Sequence, residues 1–152
     1  MLDITENGYL DLNMLDISPV DCKGLFDFLV HVRELKKLDI SQNHLTDQAV
    51  LELCKFLRNS ILGKLDISHN YITDKGLEML GDALSEETCG LHYLEIGWCY
   101  KATSNGYNKL YDTLRKAGFD ITTMALTGSN NIVQYTMQKP LPYADNCYNT
   151  KF

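Results

Sequence analysis

The chain has 152 residues, 45% apolar and 22% charged, with a net charge of −6. That is enough material for one domain or one short repeat array with a continuous core. No apolar run approaches the roughly 20 residues of a membrane span. The acidic balance is a poor match for nucleic-acid phosphates, and five scattered cysteines without a C-x-x-C pair argue against a disulfide framework or a zinc site.

The chain opens "MLDITENGY", and the phrase returns as "LDISPVD", "LDISQNHL" and "LDISHNYI". Aligned copies start at Leu12, Leu35, Leu62 and Leu91, with a worn fifth copy, "ITTMALTGSNNI", at Ile121. On this alignment the units lengthen steadily towards the C-terminus. Asn7-Gly8 in the first phrase also suits a tight hairpin turn. A two-residue hairpin there would set Leu2 and Ile4 on the face opposite Leu10 and Leu12, a mismatch that strand pairing resists. The phrase is therefore read as a helix-less half-repeat over residues 2–11, with Leu2, Ile4 and Asn7 on the slots of Leu38, Ile40 and Asn43.

Each phrase is followed by apolar residues at i, i+3, i+4 and i+7, the spacing of one helix face. The sets are Leu25, Phe28, Leu29, Val32; Val50, Leu53, Cys54, Leu57; Leu77, Leu80, Gly81, Leu84; and Tyr107, Leu110, Tyr111, Leu114. Asp21, Asp47, Asp74 and Ser104 are expected to cap these helices, and Gly118 to end the last. After residue 130 the pattern stops. Val133, Tyr135 and Met137 alternate as in a short strand, and Pro140 and Pro142 forbid regular structure beyond it.

Strand, turn and helix at a constant offset, with L-x-x-L-x-L-x-x-N/C-x-L matched in part or in full by each unit, resemble the leucine-rich repeat family. "LDISHNYITDKGLEMLGDAL" is similar to the ribonuclease-inhibitor-like class. "LEIGWCYKATSNGYNKL" leans to the cysteine-containing class, because Cys99 takes the slot held by Asn43 and Asn70. The resemblance implies an α/β solenoid with parallel strands on the concave face and α-helices on the convex face. The expected division is an array over 1–130, made of the half-repeat and about five units, and a C-terminal cap or docking tail over 131–152. Asn43 and Asn70 are read as structural, bonding turn backbone between coils.

Alternate strand residues point onto the concave face. One column reads Asp3, Asp16, Asp39, Asp66, Glu95, with Lys37 and Lys64 two positions before two of its members. The candidate partner-binding residues are Asp16, Lys37, Asp39, Ser41, Lys64, Asp66, Ser68, Tyr93 and Glu95, joined by Trp98 at the rim and by Tyr135 and Tyr143 in the tail. Two readings stand for the column, a solvated face or an acidic strip that receives a basic segment. For Trp98, flanked by Tyr93 and Tyr100, the readings are an interface anchor, or cover for the irregular fourth repeat or a place under the C-terminal segment.

No phosphate loop, nucleophile elbow or metal-ligand spacing occurs, so the chain is not expected to be an enzyme or to carry a cofactor or metal. The expectation is a protein-interaction module, or a small structural subunit of a multiprotein complex, whose protein partner offers a basic segment. The resemblance also admits a regulator of a small GTPase or a substrate adaptor of a ubiquitin ligase. With no basic and apolar leader at its start, the chain is expected to be intracellular, in the cytoplasm.

Overall fold

Four leucines, Leu10, Leu38, Leu65 and Leu94, stand opposite one another in a parallel sheet and set the register of everything else. The computed structural model describes residues 3–86, 89–127 and 132–138, the last two strands by their backbone. The elements run β1 (Tyr9–Asp11), α1 (Pro19–Leu29), β2 (Lys37–Asp39), α2 (Asp47–Asn59), β3 (Lys64–Asp66), α3 (Asp74–Leu84), β4 (Tyr93–Ile96), α4 (Ser104–Lys116), β5 (Asp120–Thr127) and β6 (Ile132–Gln138). Each parallel crossover is one α-helix, and each helix packs on the next as α1–α2, α2–α3 and α3–α4. This is the α/β solenoid expected from the repeats.

The first unit corrects the sequence alignment. Its strand is Tyr9–Asp11, with Leu10 opposite Leu38, rather than the phrase around Leu15. Counted from these pairing leucines, the units are nearly even in length and do not lengthen steadily. Leu10 and Leu12 are buried, whereas Leu15 is 59% exposed. The helix follows the same shift. Cys22, Phe26 and Leu29 face the core, with Leu25 half-buried, while Phe28 is 56% exposed.

The opening segment is a hairpin after all, with one residue more in its turn. Glu6, Asn7 and Gly8 form the turn. The Gly8 N–H donates to the Thr5 carbonyl at 2.8 Å and the Thr5 N–H to the Tyr9 carbonyl at 3.0 Å. That single extra residue brings Ile4 into an antiparallel bridge with Leu10, removing the apolar mismatch that told against a two-residue turn. Gly8 has φ +72°, and a Cβ there would run into the Glu34 carbonyl oxygen. Its own carbonyl accepts from the N–H groups of Lys36 and Lys37 at 2.8 and 3.0 Å. Only glycine meets the positive φ and the close approach together.

The helix caps precede the residues expected to supply them, by one position in α2, α3 and α4 and by three in α1. Thr46, Thr73 and Thr103 are the N-caps of α2, α3 and α4, and Ser18 is that of α1, with Asp21 accepting from the Ser18 N–H and hydroxyl. Asp47 and Asp74 instead reach across to the neighbouring unit. Asp47 accepts from the Thr73 N–H and hydroxyl at 2.9 and 2.6 Å, and Asp74 from the same groups of Thr103, both at 2.6 Å. Gly118 ends α4 as expected, with φ +87° and the Phe119 N–H returning to the Leu114 carbonyl.

Between coils, Asn43 and Asn70 bond backbone in the way their slots required. The Asn70 amide donates to the carbonyls of Ile40, Ile67 and Ser68, and its oxygen accepts from the Leu45 N–H. Asn43 donates to Leu12, Ile40 and Ser41 and accepts from Leu15 and Ile17. Both are buried.

At the other end the fifth copy runs in the same direction as β1 to β4 but does not take the place beside β4. The sheet order is β1-β2-β3-β4-β6-β5, with β6 antiparallel to both β4 and β5. Alternating apolar residues such as those after Ile121 mark a strand but not its neighbour, so the phrase alone does not fix which strand lies beside β4. The boundary drawn at residue 130 falls between these two paired strands. Within β6, Tyr135 pairs with Ile96 by backbone register; Tyr143 lies outside the described residues.

Candidate protein-binding surface

The register of β1 to β4 places three columns side by side on the concave face. The first is Tyr9, Lys37, Lys64 and Tyr93; the second is Asp11, Asp39, Asp66 and Glu95. The third, two positions further along each strand, is Asn13, Ser41, Ser68 and Gly97. Eight of the twelve sequence-nominated residues therefore converge here: Lys37, Asp39, Ser41, Lys64, Asp66, Ser68, Tyr93 and Glu95. Asp11 enters the acidic column in place of Asp16. Asp3 lies in the arm ahead of the hairpin turn and joins no parallel strand.

Each aspartate of the column is oriented from within its own strand. Asp39 Oδ1 accepts from the Ser41 N–H and hydroxyl at 2.9 and 2.7 Å. Asp66 Oδ1 does the same with Ser68 at 2.9 and 2.6 Å. At the first strand Asn13 supplies its N–H and its side-chain amide to Asp11 at 3.0 and 2.6 Å. Adjacent strands are about 4.8 Å apart, so four carboxylates repeat at a spacing where each like-charged pair costs about 1 kcal/mol even in water.

The centre of the column is where burial bites hardest. The Asp66 carboxyl is pushed from its ordinary 3.8 up to about 6, first by burial and then by the charges of Glu95 and Asp39, against the two Ser68 hydrogen bonds. The Tyr9 hydroxyl is pushed up to about 12 by burial and by the same row of carboxylates. Lys64, only 5% exposed, is held below the usual lysine range by burial and by Lys37, and its ammonium lies 5.2 Å from the Tyr93 ring centre.

Beyond the strands the chain turns the same way in every unit. Met14, Gln42, His69 and Trp98 occupy equivalent slots, all in the left-handed region with φ of 51–56°. Two positions on come Asp16, His44, Tyr71 and Tyr100. The result is a rim of rings along the C-terminal ends of the strands. His69 stacks on Trp98 at 5.5 Å with the planes 5° apart, and His44 stacks on Tyr71 at 5.5 Å. Tyr71 and Tyr100 lie 5.6 Å apart, and His69 Nδ1 is 3.2 Å from the Tyr100 hydroxyl. Asp16 belongs here rather than to the concave column. It sits in a left-handed turn, 2.7 Å from His44 Nδ1, with its side chain 82% exposed.

Trp98 was named from the sequence with Tyr93 and Tyr100 flanking it, but His44, His69 and Tyr71 were missed as its companions. Their signal is the repeat itself: equivalent slots just past each strand leucine face one another from unit to unit. Tyr135 is brought next to β4 by backbone pairing. Among the described residues no group of three or more His, Cys, Asp or Glu is placed to hold a metal ion, and no helix is long and apolar enough to cross a membrane.

A family model described as "Leucine Rich repeat" matches residues 33–54 and 58–81. Among solved structures the chain is similar to leiomodin-1 actin-binding site 2, with a TM-score of 0.63 at 16% identity over 73% of this chain; it spans 65% of that one. It is also similar to the tropomodulin C-terminal domain of Caenorhabditis elegans, with a TM-score of 0.57 at 12% identity, over 76% of this chain and 86% of that one. No curated protein matches it. Two units match that family model and the near-even strand-and-helix units continue the same architecture on either side, so the fold is a leucine-rich repeat solenoid of the ribonuclease-inhibitor-like kind.

Proposed function

We propose that the chain is a protein-interaction module whose concave acidic column, Asp11, Asp39, Asp66 and Glu95, receives a basic segment of a protein partner. The observation that carries this reading is Asp66. Its carboxyl is half-buried between two like charges and raised to about 6, a cost that the packing of the solenoid does not require. A cation brought onto the column offsets that cost. Ser41 and Ser68 orient the carboxylates, and Lys37, Lys64 and Tyr93 line the column's flank. Residues 131–152 serve in this proposal as a cap or a docking arm, with Tyr135 and Tyr143 as its contacts. Buried cysteines outside any disulfide at Cys22, Cys54 and Cys99 favour a reducing, intracellular setting.

Actin is the first partner to test, since the similar leiomodin-1 domain is titled an actin-binding site. The experiment compares the chain with an Asp39→Asn/Asp66→Asn/Glu95→Gln variant in actin co-sedimentation and in binding to an oligolysine peptide. The proposal expects the triple variant to lose at least about tenfold in affinity for the peptide, while Glu78→Gln on α3 leaves it unchanged. Equal binding by the triple variant and the parent chain would remove the column from consideration.

A further inference from the structure

The ring-lined rim does more than close the turns. It stands at the C-terminal ends of β3 and β4, beside Glu95, whose charge reaches His69. Cations already sit on tyrosine rings of this side of the molecule: Lys101 lies 5.8 Å from the Tyr71 ring centre, and Lys64 lies 5.2 Å from that of Tyr93. Trp98 has the most strongly attracting face of any side chain for a cation. It is the single tryptophan of the chain, is half-buried, and is braced from one side by the parallel ring of His69. Tyr100, 57% exposed, meets His69 edge-on with ring centres 6.2 Å apart and its hydroxyl 3.2 Å from the His69 Nδ1.

From this arrangement we infer that the rim takes the guanidinium of an arginine in an extended segment of the partner, stacked on Trp98 and Tyr100 with Glu95 as counter-charge. Arginine suits the site better than lysine because its plane matches a stacked ring and sheds water more readily than an ammonium. The adjoining acidic column supplies the charge complementarity that steers such a segment in. The inference rests on the interaction-module reading and adds a specific anchor to it.

Because Trp98 is the single tryptophan of the chain, its emission follows changes at this rim. The test uses a Gly/Ser-rich peptide carrying spaced lysines and one arginine, with twins in which citrulline or lysine replaces the arginine. Affinity is followed by anisotropy of a labelled end and occupancy by Trp98 emission with unlabelled peptide. The arginine peptide is expected to shift Trp98 emission and to bind about tenfold more tightly than its citrulline twin, with the lysine twin between them. Tyr100→Ala should erase that preference, Tyr100→Phe should keep it, and Asp39→Asn/Asp66→Asn should weaken all three peptides alike. If the twins bind equally and Trp98 emission does not move, while loss of the carboxylates still abolishes binding, the rim inference falls and the column reading stands. If none of the peptides binds at low salt, both fall.

Discussion

Replacing Asp66 by asparagine should make the protein more stable at neutral pH. Asparagine keeps the oxygen that accepts from the Ser68 N–H and hydroxyl and removes the charge that is buried between Asp39 and Glu95. Raising a carboxyl from 3.8 to about 6 corresponds to about 3 kcal/mol against its ionised form, at about 1.4 kcal/mol per pKa unit. The native state holds its proton more tightly than the unfolded chain does, so this group's contribution is favourable below 3.8 and is lost as pH rises through about 6. The parent chain should therefore lose stability between those values, and Asp66→Asn should not share that loss. Urea denaturation from pH 4 to pH 8 measures it. The variant should be ahead by about 2–3 kcal/mol at pH 7.5, with the gap closing as pH falls towards 4. A variant less stable than its parent at pH 7.5, or a gap that ignores pH, would refute the electrostatic argument.

The corrected register makes a paired prediction: Leu10→Ala should cost about 2–5 kcal/mol as a core truncation, whereas Leu15→Ala, 59% exposed, should stay within about 0.5 kcal/mol in the same denaturation assay. Asn70→Ala removes four hydrogen bonds to buried turn backbone and leaves those groups unpaired, a loss of at least about 3 kcal/mol that should show as a large drop in thermal midpoint. Asp47→Ala takes two hydrogen bonds from the N-cap of the next helix and should cost about 1–2 kcal/mol, with amide exchange rising first at the start of α3. Gly8→Ala should destabilise by more than about 1 kcal/mol in the same assay, because the positive φ and the Glu34 carbonyl both exclude a Cβ.

The solenoid was legible because its signal is stated repeatedly. Leu38, Leu65 and Leu94, with helix faces at a near-constant offset behind them, agree with one another, and one reading satisfies them all. The edges were not, because an edge unit has only one neighbour to agree with. "LDIS" after Met14 copies the internal phrase so well that it displaced the true first strand. The even spacing of the pairing leucines, and the core positions Cys22 and Phe26, point instead to Leu10. The opening hairpin turned on one residue: a two-residue turn mispairs the apolar positions, and the three-residue turn with Gly8 at φ +72° pairs them. β5 escaped for a different reason. Its alternation marks a strand but not that strand's neighbours, and β6 takes the place beside β4 that a fifth unit would fill.

The site divides along the same line. The acidic column was readable wherever the phrase sat in register, so Asp39, Asp66 and Glu95 were named and Asp11 was exchanged for Asp16. The rim needed three dimensions, since His69 and Trp98 belong to different units and meet only because those units stack. Likewise the raised carboxyl at Asp66 follows from burial in the middle of the sheet, which no single repeat contains.

Direct titration of the Asp66 carboxyl, by its side-chain carbon resonance with and without saturating oligolysine, tests the central claim. A midpoint near 6 is expected in the free protein, moving down towards the ordinary carboxylate range when the basic peptide is bound. An ordinary midpoint in the free protein, or a raised one that the bound peptide leaves where it was, would contradict the claim.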